Sequence, residues 1–239
     1  MFVFPYKLLP IFTPNLTFAG IGMIMKKKLI GYSLFFIALI LGFWYFLFKD
    51  TDVLTRSTLL QRGVVKHFAF TNQDGLQFTN LDIAGKVCVA NYFFTTCRGI
   101  CPRMNNNMRK VYEAFKDNSD VMILSHSCNP ERDSVPVIKH YADSMKVNTR
   151  QWVFLTGRKD SLYTTARFSY GIDDPKNAVN KIEDDFIHTQ FFALIDREGN
   201  VRGGVYDGLK DDEVEKLISD IKSLLKEKPN HFVNGVFNN

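Results

Sequence analysis

Acidic residues are absent from the first 48 positions of this 239-residue chain, although the same segment contains four lysines. The other 191 residues carry 26 basic and 25 acidic side chains. Of the formal net charge of +5, the first 48 residues therefore contribute +4 and the rest of the chain contributes +1. Nucleic-acid-binding domains typically carry an excess of basic residues, so a nearly neutral domain argues against a nucleic-acid partner. Glycine and proline are also scarce, at 15 and 8 residues, and with 46% hydrophobic residues this excludes a collagenous or disordered chain.

A long uncharged run accounts for the uneven charge. Three lysines at 26–28 precede LIGYSLFFIALILGFWYFLF at 29–48, a stretch of 20 residues without a charged side chain. At ~1.5 Å per residue, a helix over this run spans ~30 Å, the thickness of a membrane's hydrocarbon layer. The flanking lysines predict that residues 1–28 face the cytoplasm and that the rest of the chain lies across the membrane. A cleaved signal peptide is the alternative, but its apolar core runs only ~7–15 residues, so we favour a transmembrane helix at 29–48.

The segment ahead of the lysines fits neither a membrane helix nor a soluble domain. Residues 1–24 are apolar and contain three prolines, whereas a chain starting at Met25 would begin MKKKLIGYSLFF, a compact membrane-targeting start. We therefore expect residues 1–24 to be a start-site artefact, the alternative being a genuine short cytoplasmic tail or a second membrane-associated stretch. Detection of a peptide from 1–24 in the native protein would contradict this expectation.

Beyond the membrane helix, the composition predicts three segments: a polar linker at 49–62, a folded domain at 63–228 and a flexible tail at 229–239. Within the domain, strand-like and helix-like patterns alternate in the order ββ, βαβα, βα and ββα. This order predicts an α/β domain with a thioredoxin-like fold, in which a central mixed sheet is flanked by helices and preceded by an N-terminal hairpin.

Three local patterns support this fold. The sequence NQDG at 72–75 separates two short strand-like runs, which is typical of a β-hairpin. The run VCVANYFF at 87–94 is continuously apolar, as a strand buried on both faces requires. The next segment shows one apolar helix face, formed by Met104, Met108, Val111 and Phe115.

Two cysteines stand where the first central strand gives way to this helix. Cys97 and Cys101 are four positions apart, so both thiols can lie on one face of the first helical turn. The free N–H groups and the positive dipole end of a helix N-terminus favour thiolate. Two adjacent thiolates can form and break a disulfide, or they can bind a soft metal ion such as Cu(I). A structural disulfide is the non-functional alternative in an exported protein.

The spacing helps to distinguish metal binding from disulfide exchange. Thiol–disulfide enzymes of this fold use C-x-x-C, whereas this chain has C-x-x-x-C. A two-thiolate site usually requires a third ligand, and imidazole suits copper. His188 stands directly before a strand-like run, at the point that faces the cysteine turn in a thioredoxin-like sheet. Such enzymes place a cis-proline there, but this chain has no proline between Pro175 and Pro229, so we favour His188 as a metal ligand over a structural loop histidine.

The remaining candidates are weaker. Cys88 lies within the apolar strand at 87–94, and we expect it to be buried and inert. Cys128 follows the second central strand, on the same sheet edge as the cysteine pair. It could reach the site, but we favour the alternative of an ordinary loop thiol. Asp184 and Asp185 either orient the ring of His188 or form a solvated charge cluster with Glu183. Other side chains interpreted as structural are His67 and His126 on strands, His140 on a helix, His231 in the tail, and Met104 and Met108 in the core.

Together these residues make the domain, from about Gly63 to Leu225, similar to the Sco (SenC-like) family of membrane-anchored, thioredoxin-fold copper chaperones. The C-x-x-x-C-P motif with a distant histidine is specific, and the other blocks are supportive. The matching blocks are FFTTCRGICPRM at 93–104, Ser127-x-x-Pro130-Glu131-Arg132-Asp133, Trp152-x-Phe154-Leu155-Thr156-Gly157, His188-Thr189, and Asp196-x-x-Gly199.

The resemblance implies that Cys97, Cys101 and His188 bind one copper ion, as Cu(I) or Cu(II). It further implies delivery of copper, and possible transfer of reducing equivalents, to the binuclear copper site of cytochrome c oxidase. The partner would be the subunit that carries this site, or another copper or thiol protein. Two positions depart from the family pattern: Arg98 stands where proline is frequent, and Asn129 where aspartate is common. Neither change removes a ligand, so we expect any difference to lie in partner recognition.

Three other functions remain open at this stage. The first is a membrane-tethered thiol–disulfide oxidoreductase acting through Cys97 and Cys101 as a redox pair. The second is a peroxidase-like enzyme in which Cys97 alone reacts, and the third is a non-catalytic interaction domain, which leaves the clustered thiols unexplained. Exported thiols fit a single-pass protein of the bacterial cytoplasmic membrane whose soluble domain faces the periplasm.

Overall fold

The computed structural model describes residues 18–48, 57–179, 181–182, 184–187 and 189–227. The chain separates into two compact units, Met1–Asp52 and Val53–Asn239. Four sequence predictions therefore lie wholly or partly outside the described residues: those for the N-terminal segment 1–24, the linker 49–62, the tail 229–239, and the candidate ligand His188.

The first unit contains the helix α1, Phe18–Phe48. Within it, Lys28–Phe46 has a mean hydropathy of 2.0 and is wholly exposed. At ~1.5 Å per residue these 19 residues span ~28 Å. Among the described residues, this is the one helix long and apolar enough to cross a membrane, and a signal sequence near an N-terminus also meets this criterion.

The second unit is an α/β domain built on one eight-stranded sheet. Its helices cover both faces of the sheet, and the final helix closes the domain. A π-helical turn at Thr165–Tyr170 and a 3₁₀ turn at Pro175–Asn177 lie between the last two helices. The strands and helices are β1 (Gln61–Val64), β2 (Ala69–Asn72), β3 (Gln77–Thr79), α2 (Asn80–Ile83), β4 (Val87–Phe93), α3 (Cys101–Phe115), β5 (Val121–Ser127), α4 (Val135–Met145), β6 (Trp152–Thr156), α5 (Lys159–Thr164), β7 (Phe191–Ile195), β8 (Asn200–Asp207) and α6 (Asp211–Lys226).

The strand order is β1-β8-β7-β4-β5-β6-β2-β3. The central strands β4, β5 and β6 are parallel, whereas β7 and β8 are antiparallel to their neighbours, so the sheet is mixed as predicted. The predicted N-terminal hairpin is also present, because β2 and β3 pair across the NQDG turn. The α/β, thioredoxin-like prediction is therefore confirmed.

One part of the sheet was not predicted. The strand-like run ahead of the NQDG turn was expected to form a single strand, but β1 ends at Val64 and β2 starts only at Ala69. The two strands lie at opposite ends of the strand order. Between them, Val65 donates its N–H to the carbonyl of Gly199 at 2.8 Å, and Phe68 donates its N–H to Asn80 Oδ1 at 2.8 Å. These non-sheet bonds hold the link, and exposed His67 lies in it rather than on a strand.

Successive side chains of β4 point to opposite faces of the sheet, and each face has its own hydrophobic core. Val87, Val89 and Phe93 pack with α3, α4 and α6 on one face. Cys88, Ala90 and Tyr92 pack with α5 and the π-helical turn on the other face. The predicted apolar stripe of α3 is buried in the first core, which fixes the helix against the strand that precedes it. As a result, the turn between β4 and α3 is held at the carboxyl edge of the sheet.

Candidate metal centre

The turn between β4 and α3 carries both predicted cysteines. Cys101 is the first residue of α3, and Pro102 follows it in the first turn, where proline suits a helix start because no N–H is needed there. Ile100, which precedes the helix, forms no side-chain cap. Without a side-chain cap, backbone N–H groups at this end can donate to the Cys97 sulfur instead. Cys97 lies earlier in the turn and donates its N–H to the carbonyl of Phe94 at 3.2 Å.

The two thiols have opposite electrostatic character. Burial raises the pKa of the Cys97 thiol, but hydrogen bonds from the Cys101 thiol and from the N–H groups of Cys101, Gly99 and Ile100 outweigh it, so the net pKa is below the ordinary value. Burial, together with the hydrogen bond to Cys97, raises the pKa of Cys101 to about 12. Cys97 is partly exposed and Cys101 is buried. The pair therefore consists of an accessible thiolate-forming sulfur and a shielded thiol.

A buried carboxylate fixes the turn to the neighbouring strand. Asp133 is 1% exposed and accepts hydrogen bonds from the hydroxyls of Thr95 and Ser127, at 2.5 and 2.6 Å. It also accepts the N–H of Thr95 at 3.3 Å. Thr95 precedes the cysteines and Ser127 ends β5, so this carboxylate ties the cysteine turn to the end of the adjacent parallel strand.

Both cysteines line a cavity of about 290 Å³ at this edge. Its other walls include Cys128, Ile187 and Thr189. The last two are the chain neighbours of His188, which itself lies outside the described residues. Within the described part of the chain, no three histidine, cysteine or acidic side chains are grouped to hold a metal ion. Cys97 and Cys101 thus supply two sulfur donors beside the segment that contains the predicted third ligand.

The segment around His188 is anchored on both sides. Arg167 forms a bidentate ion pair with Asp185, at 2.7 and 3.0 Å, in a buried position. The Tyr163 hydroxyl accepts the N–H of Ile187 at 3.4 Å. On the other side, the Thr189 hydroxyl donates to the carbonyl of Ile172 at 2.6 Å. These bonds hold the wall of the cavity that faces the cysteine turn.

Asp185 corrects one sequence prediction. It was expected either to orient the ring of His188 or to belong to a solvated charge cluster, but it is 3% exposed and paired with Arg167. Asp184 is exposed, and Glu183 lies outside the described residues. The arginine partner was missed because it stands 18 positions earlier in the chain, in the π-helical turn, and no local pattern connects the two residues.

The model of the SCO1/SenC family matches residues 57–226, more than two thirds of the chain. The chain belongs to the SCO1/SenC family. Its domain is 32% identical over 163 residues to the SCO1 protein homolog of Bacillus subtilis, covering 66% of this chain and 81% of that protein.

Two solved structures place this SCO1/SenC domain among its structural relatives. BsSco, described as a Sco-family cytochrome c oxidase assembly protein with a disulfide switch, matches with a TM-score of 0.59 and 31% identity, over 73% of this chain and 99% of that one. Arabidopsis thaliana ScoI, solved with copper bound, matches with a TM-score of 0.54 and 25% identity, over 69% and 99%.

The other cysteines and histidines of the SCO1/SenC domain have different surroundings. Cys88 is fully buried as predicted, and burial raises its pKa to about 12. Cys128 was interpreted as an ordinary loop thiol, but it is 3% exposed and lines the same cavity as the cysteine pair. His126 is buried on β5, stacks on Tyr92 and contacts the Tyr170 hydroxyl through Nε2 at 3.1 Å. His126 is therefore a core residue, as expected.

Proposed function

We propose that this protein is a membrane-anchored copper chaperone that binds one copper ion through Cys97, Cys101 and His188. The observation that carries the proposal is the shared cavity. The two thiols line it on one side, and the chain neighbours of His188 line it on another. Thiolate and imidazole donors suit copper, and soft thiolates favour Cu(I). Three protein ligands leave a coordination position open for a donor from a partner.

Similar proteins support copper as the metal that is carried and cytochrome c oxidase as the enzyme that receives it. A relative of similar fold has been solved with copper bound, and another is described as a cytochrome c oxidase assembly protein. We propose that this chain likewise transfers copper, as Cu(I) or Cu(II), to the subunit of cytochrome c oxidase that carries the binuclear copper site. Transfer proceeds by ligand exchange, in which a partner thiolate enters the open position before the chaperone thiolates leave.

The redox state of the cysteines controls this transfer in our proposal. Thiolates bind the metal, whereas a Cys97–Cys101 disulfide has no thiolate to offer. The α1 helix is the proposed single-pass anchor in the cytoplasmic membrane, with the domain in the periplasm. Three lysines precede the uncharged part of α1, which favours this orientation.

Copper titration of the reduced and the oxidised protein tests the proposal. We expect the reduced wild type to bind one equivalent and the disulfide form to bind none, with a thiolate-to-Cu(II) charge-transfer band marking the site. Cys97→Ser, Cys101→Ser and His188→Ala should each sharply lower the affinity for copper while the fold persists. Cys88→Ser is the matched control for thiol loss, because Cys88 is buried away from the cavity. Undiminished binding by His188→Ala would remove that residue from the site.

A second candidate is a thiol–disulfide oxidoreductase acting through the same pair. It is favoured by the asymmetry of the thiols, since an accessible thiol of lowered pKa beside a buried thiol of raised pKa suits attack followed by resolution. Reduction of a disulfide substrate by the metal-free protein, lost in Cys97→Ser, would support this activity. The two roles are compatible, because both require the reduced pair.

A further inference from the structure

A third thiol faces the cavity of the cysteine pair. Cys128 is 3% exposed, and it lines the same cavity as Cys97 and Cys101. Its position follows from the sheet, because β4 and β5 are parallel and in register up to Phe93 and Ser127. The residues after both strands therefore meet at one edge. The metal site proposed above has no role for this third sulfur.

A backbone hydrogen bond fixes Cys128 beside the end of β4. The carbonyl of Phe93 accepts the N–H of Cys128 at 2.7 Å, so the backbone of Cys128 is held at the strand end that leads into the cysteine turn. Cys101 and Cys128 both line the cavity at this edge, and both are shielded from solvent. Cys97, in contrast, lies at the partly exposed side of the turn.

Cys88 shows that burial alone does not create this arrangement. It is also a buried free thiol, on the strand that leads to the turn. Its sulfur contacts the carbonyl of Lys86 at 3.9 Å, and it does not line the cavity. Cys88 is therefore a matched control for a buried thiol without access to the pair.

We propose that Cys128 is a third redox thiol of the site and exchanges with the Cys97–Cys101 disulfide. Burial holds the pKa of the Cys128 thiol well above its ordinary value, so the reactive form is the small fraction that has lost its proton to water. The sulfur of this thiolate attacks the sulfur of Cys101. The Cys101–Cys128 bond forms as the Cys97–Cys101 bond breaks, and Cys97 leaves as a thiolate. The step conserves electrons, because one disulfide and one thiol are present before and after it.

Two properties follow from this exchange. The disulfide moves into the buried part of the cavity, and a free Cys97 thiolate is left at the accessible side, where it can react with a partner. The inference rests on the cysteine pair of the proposed function but involves no copper. Its failure would therefore leave copper binding by the reduced protein intact, and a failure of copper binding would leave the exchange measurable.

The test uses the full chain in detergent micelles and maps its disulfides. The Cys97→Ser variant is treated with oxidised glutathione, which takes up two electrons as two remaining thiols of the protein join. The protein is then alkylated, digested with trypsin and analysed by mass spectrometry. Cleavage after Arg98 separates the thiols. The peptides are 87–98 with Cys88 and residue 97, 99–103 with Cys101, and 117–132 with Cys128.

We expect peptides 99–103 and 117–132 to be linked in Cys97→Ser. The link should persist in Cys97→Ser/Cys88→Ser and disappear in Cys97→Ser/Cys128→Ser. Glutathione on Cys101 without that link would overturn the proposal. Alkylation of Cys128 in the oxidised variant after denaturation would also overturn it, because this thiol would then still be free.

The wild type gives a second measurement that does not depend on the folding of any variant. After oxidation, part of the protein should contain alkylated Cys97 together with the Cys101–Cys128 link. If every oxidised wild-type molecule links Cys97 to Cys101, and Cys128 stays free over hours at pH 8, the exchange does not occur.

Discussion

The buried histidine His126 predicts a specific loss of stability in mild acid. Its Nδ1 has no hydrogen-bond partner among the described residues, and its ring lies 5.1 Å from the ring of Tyr92 and 5.4 Å from that of Phe70. Burial in this aromatic setting lowers the pKa of His126 to about 3, because the charged form cannot be solvated. The unfolded chain, with a histidine pKa of about 6.5, binds the proton at higher pH.

The sign and size of the effect follow from this difference. Between about pH 6.5 and pH 3 the unfolded state binds more protons, so the free energy of unfolding falls as the pH falls. From pH 8 to pH 5 the loss is about 2 kcal/mol, and at pH 3 it is about 4 kcal/mol. The value at pH 5 depends mainly on the unfolded-state pKa, because His126 is still neutral in the folded protein.

Urea unfolding at a series of pH values measures this loss. Trp152 is a buried reporter, and Trp44→Phe removes the other of the two tryptophans. His126→Phe should be less stable than the wild type at pH 8, since the Tyr170 hydroxyl loses its partner, but its stability should fall by about 2 kcal/mol less between pH 8 and pH 5. His140→Gln, at an exposed position, should retain the wild-type dependence. Identical pH dependence in His126→Phe and wild type would refute the reasoning.

Two further predictions concern the supports of the site. Asp133→Asn should lower the free energy of unfolding by about 1–3 kcal/mol, because the buried Ser127 hydroxyl and the partly buried Thr95 hydroxyl lose their shared carboxylate; urea unfolding measures this, and faster alkylation of Cys97 would report loosening of the turn. Arg167→Met should cost about 3–5 kcal/mol, because two buried carboxylates lose their cation, and Arg158→Met at an exposed pair should cost little in the same assay.

The sequence predicted those parts of the molecule that depend on local patterns. The apolar run of β4, the stripe of α3 and the NQDG turn each have their own periodicity or turn chemistry, and each forms as expected. The cysteine turn was found for the same reason. Strand β1 was missed because the fate of a short apolar run depends on its partner, and β8 lies more than 130 positions away.

Cys128 was misjudged for a related reason. The sequence places it after a strand, but only the parallel register of β4 and β5 brings it into the wall of the cavity. The ion pair of Arg167 and Asp185 likewise joins two segments that are separate in the sequence. Such contacts between distant segments arise from the packing of the whole domain, and no spacing rule in one chain reveals them.

The two ends of the domain are joined, and this affects how the domain can be tethered. Ser57 donates its N–H to the carboxylate of Glu227 at 2.6 Å, and Arg202 bonds to the side chains of both residues. A connection leaving after residue 227 would therefore start close to the one that now enters before residue 57. We expect that a helix grafted after residue 227 would leave the domain from nearly the same point as the segment before residue 57, and that a circular permutant joined across these ends would still fold.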